Sequence, residues 1–419
     1  MSQLKIQSIC NRKALPVLNS SQLVYILTEL SPEAVFADAR LPLNLTLVLD
    51  CSGSMAGTKL RNLKEAVKRM IDQLDPTDVI SIVTFETKTK VLFPAQLASD
   101  KIMLKKLVNG IRDGGGTNMA RGLLEGLNQA QKNLGSDRVS RVVLLTDGEA
   151  TDKEADSRDQ AEKAGIAGIP IVGLGIGKNW NEDFVLDLAD LSIQAGGSKT
   201  GRVDYIQHPN DAIRIFQEVF QSMQVIAQDV MMNIRMVQGL EALRVWQVKP
   251  IINDLGPRVI QGRNIVIPIG ELEQTGLSYL CEIMIPPRPE GTFRIAQTDV
   301  TYSLLSQGRL RDAVNVIVNF TEDAQQYNQM DGRVMNIVEK VQAFKLQTQA
   351  LGEAETGQVG SATKKLRQAV TILLSHGETE LADQMQQEVD QLEKTGEISS
   401  EGKKTIKLTS RKTIRFPKE

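Results

Sequence analysis

Three oxygen-bearing side chains alternate along one short stretch of the chain, directly after an apolar run. In LTLVLDCSGSM, Asp50 ends the apolar run, and Ser52 and Ser54 follow at every second position. A loop with this spacing is able to turn one carboxylate and two hydroxyls toward a common point. Such oxygens are hard ligands, which suit Mg²⁺, Ca²⁺ or Mn²⁺ rather than zinc. The stretch therefore predicts part of a metal site, which needs further oxygens from elsewhere in the chain.

Two later stretches supply candidate ligands of the same kind. Thr117 follows the glycine run in RDGGGTNMARGL and precedes a predicted helix, and Asp147 ends the apolar run in VVLLTDGEAT. Asp147 thus stands in the same relative place as Asp50. Taken alone, Ser and Gly after a strand more often form only a turn and a helix cap. The three matching stretches together favour the metal site over that simpler interpretation.

The elements predicted around these residues alternate between strand and helix. From 43 to 225, apolar strands such as LNLTLVLD and RVVLLTD alternate with helices such as KLRNLKEAVKRMIDQL, whose apolar residues recur at helical spacing. This pattern predicts a doubly wound α/β domain with a mostly parallel sheet covered on both faces. Such sheets bind ligands beyond the carboxyl ends of their strands, which is where Asp50 and Asp147 stand.

The segments outside this domain have a different character. Residues 1–42 and 226–320 indicate short strands bounded by Gly, Pro and Asn, which are typical of an antiparallel sandwich. We expect both segments to pair into one β-sandwich domain into which the α/β domain is inserted. Residues 321–397 have helical periodicity and predict a C-terminal helical segment, and 398–419 form a basic tail.

The basic tail contains a small repeat, KTIKLT followed by KTIRFP. A basic chain end is often disordered. The alternation of apolar and basic residues also fits a strand that docks on a sheet edge, and the Thr and Ser residues of the tail are candidate phosphorylation sites. The sequence leaves both interpretations open.

The order and spacing of the oxygen-bearing motifs resemble a known family. Asp50, Ser52 and Ser54 as D-x-S-x-S, with Thr117 in GGGTN and Asp147 in LLTDGEAT, resemble the metal-ion-dependent adhesion site (MIDAS) of a von Willebrand factor A (vWA) domain. The resemblance covers the predicted α/β domain. The β and helical segments show only a loose likeness to bacterial and inter-alpha-trypsin-inhibitor-like proteins that carry this domain. The resemblance implies that the three hydroxyls bind the ion, while the two aspartates act largely through bound water.

Two carboxylates and three neutral hydroxyls would leave a divalent ion electrophilic, with a coordination position facing solvent. The resemblance implies that an Asp or Glu of a partner protein fills that position. We therefore expect a protein–protein interaction module or scaffold that uses Mg²⁺, with Mn²⁺ or Ca²⁺ as substitutes. Gly114, Gly115 and Gly116 permit movement of the loop, so Thr117 is expected to bind the ion directly only when the partner is present. The helix predicted for DAIRIFQEVFQSM is expected to shift with it.

An enzyme, either a hydrolase or a phosphatase, is the alternative use of the same Asp and Ser cluster. An aspartyl phosphatase would need a second acid where Ser52 stands, and a serine hydrolase needs a base. His208 and His376 both lie at predicted helix ends. GGSKTG has Ser198 where a phosphate loop needs glycine, and VGLGIGK lacks the dinucleotide-binding spacing. We therefore expect no enzymatic activity.

Composition narrows the class of protein further. The 419 residues carry a formal net charge of −2, which argues against a surface that binds nucleic acid or an anionic membrane. No apolar run approaches the roughly 20 residues that span a bilayer, and MSQLKIQSICNRKALP lacks a signal-peptide core. Cys10, Cys51 and Cys281 match no metal or redox spacing. We expect a cytoplasmic protein whose cysteines serve packing.

Overall fold

The computed structural model describes residues 4–33, 41–135, 137–147, 153–176, 180–193, 203–206, 220, 224–304 and 308–406. The chain divides into two compact units. Residues 35–228 and 270–274 form the first, here named the α/β unit. Residues 1–34, 229–269 and 275–419 form the second, here named the β–helical unit.

The first half of the chain begins with three strands and continues with alternating strands and helices. The three strands are β1 (Leu4–Cys10), β2 (Ala14–Pro16) and β3 (Gln22–Pro32). The elements that follow are β4 (Leu43–Asp50), α1 (Thr58–Gln73), β5 (Val79–Phe85), β6 (Thr89–Leu97), α2 (Lys101–Asn109), α3 (Met119–Gln131), β7 (Val139–Thr146), α4 (Glu154–Ile166), β8 (Ile171–Ile176), α5 (Glu182–Leu191) and β9 (Val203–Ile206).

The second half of the chain contains strands and then helices. The strands are β10 (Val225–Met236), β11 (Glu241–Lys249), β12 (Asn253–Asp254), β13 (Ile260–Gln261), β14 (Asn264–Glu273), β15 (Leu277–Ile285), β16 (Gly291–Leu304) and β17 (Gly308–Thr321). The helices are α6 (Ala324–Tyr327), α7 (Gly332–Glu355), α8 (Val359–Ser375), α9 (Thr379–Thr395) and α10 (Ser400–Lys404).

The α/β unit is built on one sheet with strand order β6-β5-β4-β7-β8-β9. Its neighbouring strands run parallel, except that β6 is antiparallel to β5. Side chains of β4 alternate between two hydrophobic cores: Leu47 and Leu49 pack with α1, whereas Val48 packs with α3. Both faces of β4 are covered, so all of its residues are buried, and the doubly wound α/β fold predicted from the sequence is confirmed.

Helix α3 lies unusually close to the sheet, and this closeness sets the position of its first turn. A Cβ atom added to Gly126 would stand 2.4 Å from the Cγ2 atom of Val48, and one added to Gly122 would stand 2.7 Å from the ring of Phe85. Only glycine permits this separation. The loop that contains Thr117 leads into the first turn of this helix, just before Gly122. The helix predicted for DAIRIFQEVFQSM lies outside the described residues, apart from Phe220.

The β–helical unit contains two sheets, with strand orders β1-β3-β15-β11-β12 and β13-β14-β10-β16-β17-β2. The N-terminal strands pair with strands from beyond the α/β region: β3 is antiparallel to β15, and β2 is parallel to β17. The predicted insertion of the α/β domain into a β-domain is thus present in the fold. Strand β17 lies in the region 226–320 for which the sequence predicts short strands, although Arg309, Arg311 and Asp312 interrupt its apolar pattern.

Helices α7, α8 and α9 form the helical part of this unit, as predicted. The first turns of α7 also pack on the sheet, where Val334 and Val338 contact a cluster that includes Leu27 and Trp246. Among the described residues, none of the helices has both the length and the apolar character that a membrane crossing requires.

The core of the helical part continues past residue 398, where the sequence predicts that the basic tail begins. Ile398 and Ile406 are buried in the core of the helical part, with α10 between them. The carboxylate of Glu388 accepts hydrogen bonds from the backbone N–H and the hydroxyl of Ser399, which holds the chain against α9. This contact cannot be read from the local sequence, where the residues look like a polar terminus. Residues 407–419, with most of the repeat, lie outside the described residues.

Candidate metal centre

Strand β4 ends in a carboxylate that is completely buried. Asp50 is 0% exposed, between β5 on one side and β7 on the other. The backbone N–H of Ser52 donates to its Oδ1 atom at 2.9 Å, and the hydroxyl of Thr146 donates to its Oδ2 atom at 2.7 Å. Both bonds are needed because a buried carboxylate without donors is strongly unfavourable.

These hydrogen bonds do not offset the burial of Asp50. Burial raises the pKa of the Asp50 carboxyl to about 6, and the nearby Asp147 carboxylate adds to the rise against the lowering by Ser52 and Thr146. A raised pKa means that negative charge is disfavoured at this position. A nearby cation would relieve that cost.

The loop after β4 holds its two serines in different environments. Ser52 is 1% exposed, whereas Ser54 is exposed, and their Oγ atoms lie 3.0 Å apart. A short 3₁₀ turn covers Gly53–Met55, and the fully buried side chain of Met55 anchors it in the core. The loop therefore presents two adjacent hydroxyls, one inside the protein and one at its surface.

The glycine loop before α3 is joined to the β4 loop through its backbone. The N–H of Gly114 donates to the carbonyl of Cys51 at 2.9 Å, and the N–H of Gly53 donates to the carbonyl of Gly115 at 3.1 Å. Gly115 has φ of +69°, a conformation that favours glycine. Thr117 follows this crosslink and is 3% exposed. The glycine run thus fixes the loop that carries Thr117 beside the loop that carries the serines.

The second carboxylate of the cluster lies at the end of β7. Asp147 is 0% exposed, and its Oδ2 atom accepts a hydrogen bond from the ammonium of Lys59 at 2.8 Å. Its Oδ1 atom is buried and has no hydrogen-bond partner among the described residues. A buried acceptor without a donor is rare in native proteins and calls for an explanation such as a bound ion.

The structure brings the predicted site residues to one end of the sheet. Asp50 contacts Ser52 directly, Ser52 contacts Ser54, and the residue before Asp147 donates to Asp50. Thr117 is joined to this group through the backbone crosslink of its loop. The donor set contains only two carboxylates, and no cluster of three or more His, Cys, Asp or Glu suited to a metal occurs among the described residues. A cation at this position would need hydroxyl oxygens as well as the two carboxylates, and such hard oxygens fit a divalent cation such as Mg²⁺.

Sequence reasoning missed two residues that shape this centre. Thr146 donates to Asp50, and Lys59 pairs with Asp147. Thr146 could have been found because it immediately precedes a candidate ligand at a strand end. Lys59 gave no such signal, since it looks like one of several lysines on the exposed face of α1.

Cys51 lies between candidate ligands without joining them. Its thiol is buried and donates to the carbonyl of Phe85 at 3.2 Å. Burial raises the pKa of the Cys51 thiol to about 11, and the carboxylate of Asp50 adds to this rise. A thiol with this pKa stays protonated at neutral pH, and its hydrogen bond is with the backbone of Phe85 rather than with a candidate ligand.

Two regions of the chain match known domain families. Residues 44–200 match the von Willebrand factor type A domain, and residues 332–415 match the Sll0103-like, C-terminal alpha-helical domain. The first match contains the five candidate ligands. The second contains α7, α8, α9 and α10.

Curated relatives match only part of this chain. The uncharacterized protein sll0103 of Synechocystis sp. (strain ATCC 27184 / PCC 6803 / Kazusa) is 35% identical over 190 residues, which cover 44% of this chain and 43% of that protein. The inter-alpha-trypsin inhibitor heavy chain H3 of Homo sapiens is 31% identical over 159 residues, which cover 35% of this chain and 18% of that protein. The matches thus span less than half the length of these relatives.

One solved structure resembles almost the whole chain in fold. A von Willebrand factor type A protein from Catenulispora acidiphila superposes with a TM-score of 0.73 and 19% identity, over 98% of this chain and 97% of that one. The combination of an α/β domain with further sheets and terminal helices therefore occurs in another protein.

Proposed function

The chain contains a von Willebrand factor type A domain, and we propose that this domain is a metal-dependent protein-interaction module. Domains of this family typically mediate protein interactions. Our proposal adds that the interaction depends on a divalent cation and that the partner contributes an Asp or Glu side chain.

Five residues would hold the ion: Asp50, Ser52, Ser54, Thr117 and Asp147. When bound, Mg²⁺, or Mn²⁺ or Ca²⁺ in its place, supplies positive charge to which a carboxylate of the partner can coordinate. Asp50 and Ser52, both buried, form the floor of the centre, whereas Ser54 is exposed and marks the side from which a partner would approach. The side chains of the centre would bind the ion and orient the carboxylate of the partner, and the fold already holds these side chains in place.

One observation carries the proposal. Of two completely buried carboxylates, Asp50 and Asp147, only Asp147 has an ammonium partner among the described residues, that of Lys59, and its Oδ1 atom has no hydrogen-bond partner there. Buried charges are normally paired or coordinate metals. The excess negative charge and the unpaired oxygen both support a cation at this end of the sheet.

The surroundings of the cluster do not favour a nucleophilic enzyme. The Ser52 hydroxyl lies 3.0 Å from the hydroxyl of Ser54, which cannot act as a base. His376 belongs to the β–helical unit, where its ring contacts Asn336 and Glu339. These contacts support a binding module without catalysis.

Calorimetric titration with Mg²⁺ tests the metal site. We expect Asp50→Asn to weaken Mg²⁺ binding by more than the roughly 10–100-fold loss that follows removal of an outer-shell partner. Asp78→Asn is the matched control, since Asp78 is also 0% exposed and also accepts backbone hydrogen bonds, from Leu43 and Asp75. Asp78 precedes β5 and so lies at the opposite end of the strands. Equal affinity of wild type and Asp50→Asn would contradict the site.

Bead-displayed capped hexapeptides test the partner chemistry. One library has Asp at a fixed central position and random flanks, and the twin library has Asn there. We expect retention of the Asp library in Mg²⁺, with loss of retention in EDTA and in the Asn library. Equal retention in Mg²⁺ and in EDTA, or equal retention of the Asp and Asn libraries, would contradict the proposal.

A further inference from the structure

A cavity of about 480 Å³ lies beside the candidate metal centre, within the α/β unit. Asn118, which directly follows Thr117, is part of its wall. The other lining residues are Thr89 and Val91 of β6, Ala120, Arg121, Leu124 and Glu125 of α3, and Gln160 of α4. The volume falls in the range of about 300–1,000 Å³ that is typical of ligand-binding pockets.

Two polar atoms of this wall are buried without partners. Gln160 is 9% exposed, and its Nε2 atom donates to Oδ2 of Asp159 at 3.1 Å. Since a carboxylate only accepts hydrogen bonds, the atom of Gln160 that contacts Asp159 must be the amide nitrogen. The amide oxygen, Oε1, is therefore the atom that this bond leaves without a partner. Oε1 of Gln160 and Oγ1 of Thr89 are both buried and have no hydrogen-bond partner among the described residues. Two such atoms in one cavity indicate a polar ligand.

The charged residues of the wall restrict the chemistry of that ligand. The guanidinium of Arg121 is exposed and has no ion pair within the described part of the chain, and Glu125 uses its Oε1 atom to accept from Nε2 of Gln129 at 2.8 Å. The cavity therefore offers one positive and one negative group in addition to the acceptor of Gln160. Apolar contacts come from Val91 and Leu124, the latter 44% exposed.

We infer that this cavity is a specificity subsite that takes a carboxamide side chain, Gln or Asn, adjacent in the partner to the carboxylate at the metal. The inference rests on the proposed function. A carboxamide carries a donor for Oε1 of Gln160 and an acceptor for Arg121 or the Thr89 hydroxyl. A Lys side chain would face Arg121 as well as Glu125, an Asp or Glu would face Glu125 as well as Arg121 and could not donate to Gln160, and an apolar side chain would leave both buried atoms unpaired.

The spacing within the site agrees with neighbouring residues of one partner. The centre and the cavity meet at the step from Thr117 to Asn118, and consecutive Cα atoms are about 3.8 Å apart. An extended partner segment advances about 3.3 Å per residue. Successive side chains of an extended segment point to opposite faces, so the neighbour of the metal-binding Asp enters the cavity only if the backbone of the partner turns at that residue.

Capped hexapeptides with one central Asp test the subsite. The residues on both sides of Asp are set in turn to Gln, Leu, Glu or Lys, and each peptide has a counterpart with Asn in place of the central Asp. Binding is measured in Mg²⁺ for wild type and for Gln160→Leu. We expect wild type to bind the best Gln peptide about tenfold more tightly than the matching Leu peptide, the effect of one buried hydrogen bond. In Gln160→Leu this preference should disappear or reverse toward Leu, a change that a purely structural role would not produce. Gln96→Leu, an exposed glutamine on β6, is the control.

Each outcome of this experiment is decisive. If peptides with Asp bind no better than their Asn counterparts, the proposed function fails and the subsite fails with it. If the preference for Asp persists without a preference for Gln, or if Gln160→Leu keeps the wild-type preference, the subsite alone is overturned. Thermal melting and the Mg²⁺ isotherm of Gln160→Leu establish that the variant is folded.

Discussion

Buried carboxylates occur in two regions of the molecule, and the surroundings of the two differ. In the β–helical unit, Asp299 lies on β16 and is 6% exposed. Arg235 on the neighbouring strand β10 and Arg311 on β17 both form ion pairs with it. The chain thus places two positive charges around one negative charge, and no external cation is needed.

At the end of the α/β sheet, the ratio of positive to negative groups is reversed. Asp50 and Asp147 are both 0% exposed, and the ammonium of Lys59 is the positive group that pairs with one of them. Burial raises the pKa of Asp50 to about 6, which indicates that its negative charge is not fully compensated. At Asp299 the chain itself supplies the positive charges that neutralise the buried carboxylate. We interpret the incomplete neutralisation at the candidate centre as preparation for a metal ion.

The largest expected difference between the two regions is the response to Mg²⁺. At a free concentration 100 times the dissociation constant, a ligand stabilises the folded state by about 2.7 kcal/mol. We expect this gain in the amide protection of β4 and β7, measured by hydrogen exchange with Mg²⁺ against EDTA. Asp299→Asn should keep the gain, and Asp50→Asn should lose it. If Asp50→Asn kept the Mg²⁺-dependent gain in protection, the proposed difference between the two regions would be contradicted.

In EDTA, replacement of the buried Asp by Asn should change the free energy of unfolding in opposite directions in the two regions. Since the pKa of Asp50 is about 6 in the folded protein, against an ordinary value of 3.8 for an aspartate side chain, the folded state binds more protons between these values. Stability therefore falls as pH rises through this window. We expect Asp50→Asn to raise the free energy of unfolding at pH 7 by about 2 kcal/mol and to remove this slope. The Thr146 hydroxyl is able to accept from the new amide.

For Asp299→Asn we expect a loss of about 1 kcal/mol, because the two arginines are partly exposed and remain solvated. Urea denaturation of both variants at pH 5 and at pH 7, monitored by hydrogen exchange, measures the two effects. Destabilisation by both substitutions, or an unchanged pH slope in Asp50→Asn, would remove the distinction between the regions.

The smallest expected effect concerns the cation that the chain itself supplies. The ammonium of Lys59 contacts Oδ2 of Asp147, so a metal at the centre would share this carboxylate with a like charge. We expect Lys59→Met to raise Mg²⁺ affinity about fivefold, equivalent to about 1 kcal/mol. Lys64→Met on the same helix is the control, because Lys64 donates to the carbonyl of Asn109 instead. Unchanged or weaker Mg²⁺ binding in Lys59→Met would show that the lysine does not oppose the metal.

The sequence by itself determined the main elements of the fold and all five candidate ligands. Apolar strands that alternate with amphipathic helices specify a doubly wound sheet, since both faces of a parallel sheet must be covered. Asp50 and Asp147 could be recognised because a polar residue at the end of such a strand lies at the ligand-binding edge. The burial of Ile406 was missed, because it is created by helices that are distant from Ile406 in the chain.

Only the tertiary structure decided the charge balance of the centre and the cavity beside it. The pairing of Lys59 with Asp147 joins segments 88 residues apart, and Gln160 and Thr89 come from a helix and a strand far apart in the chain. Residue types show that a side chain is able to donate or accept a hydrogen bond. Whether a partner stands opposite depends on strand order and helix packing, and these bring together groups that the linear sequence keeps apart.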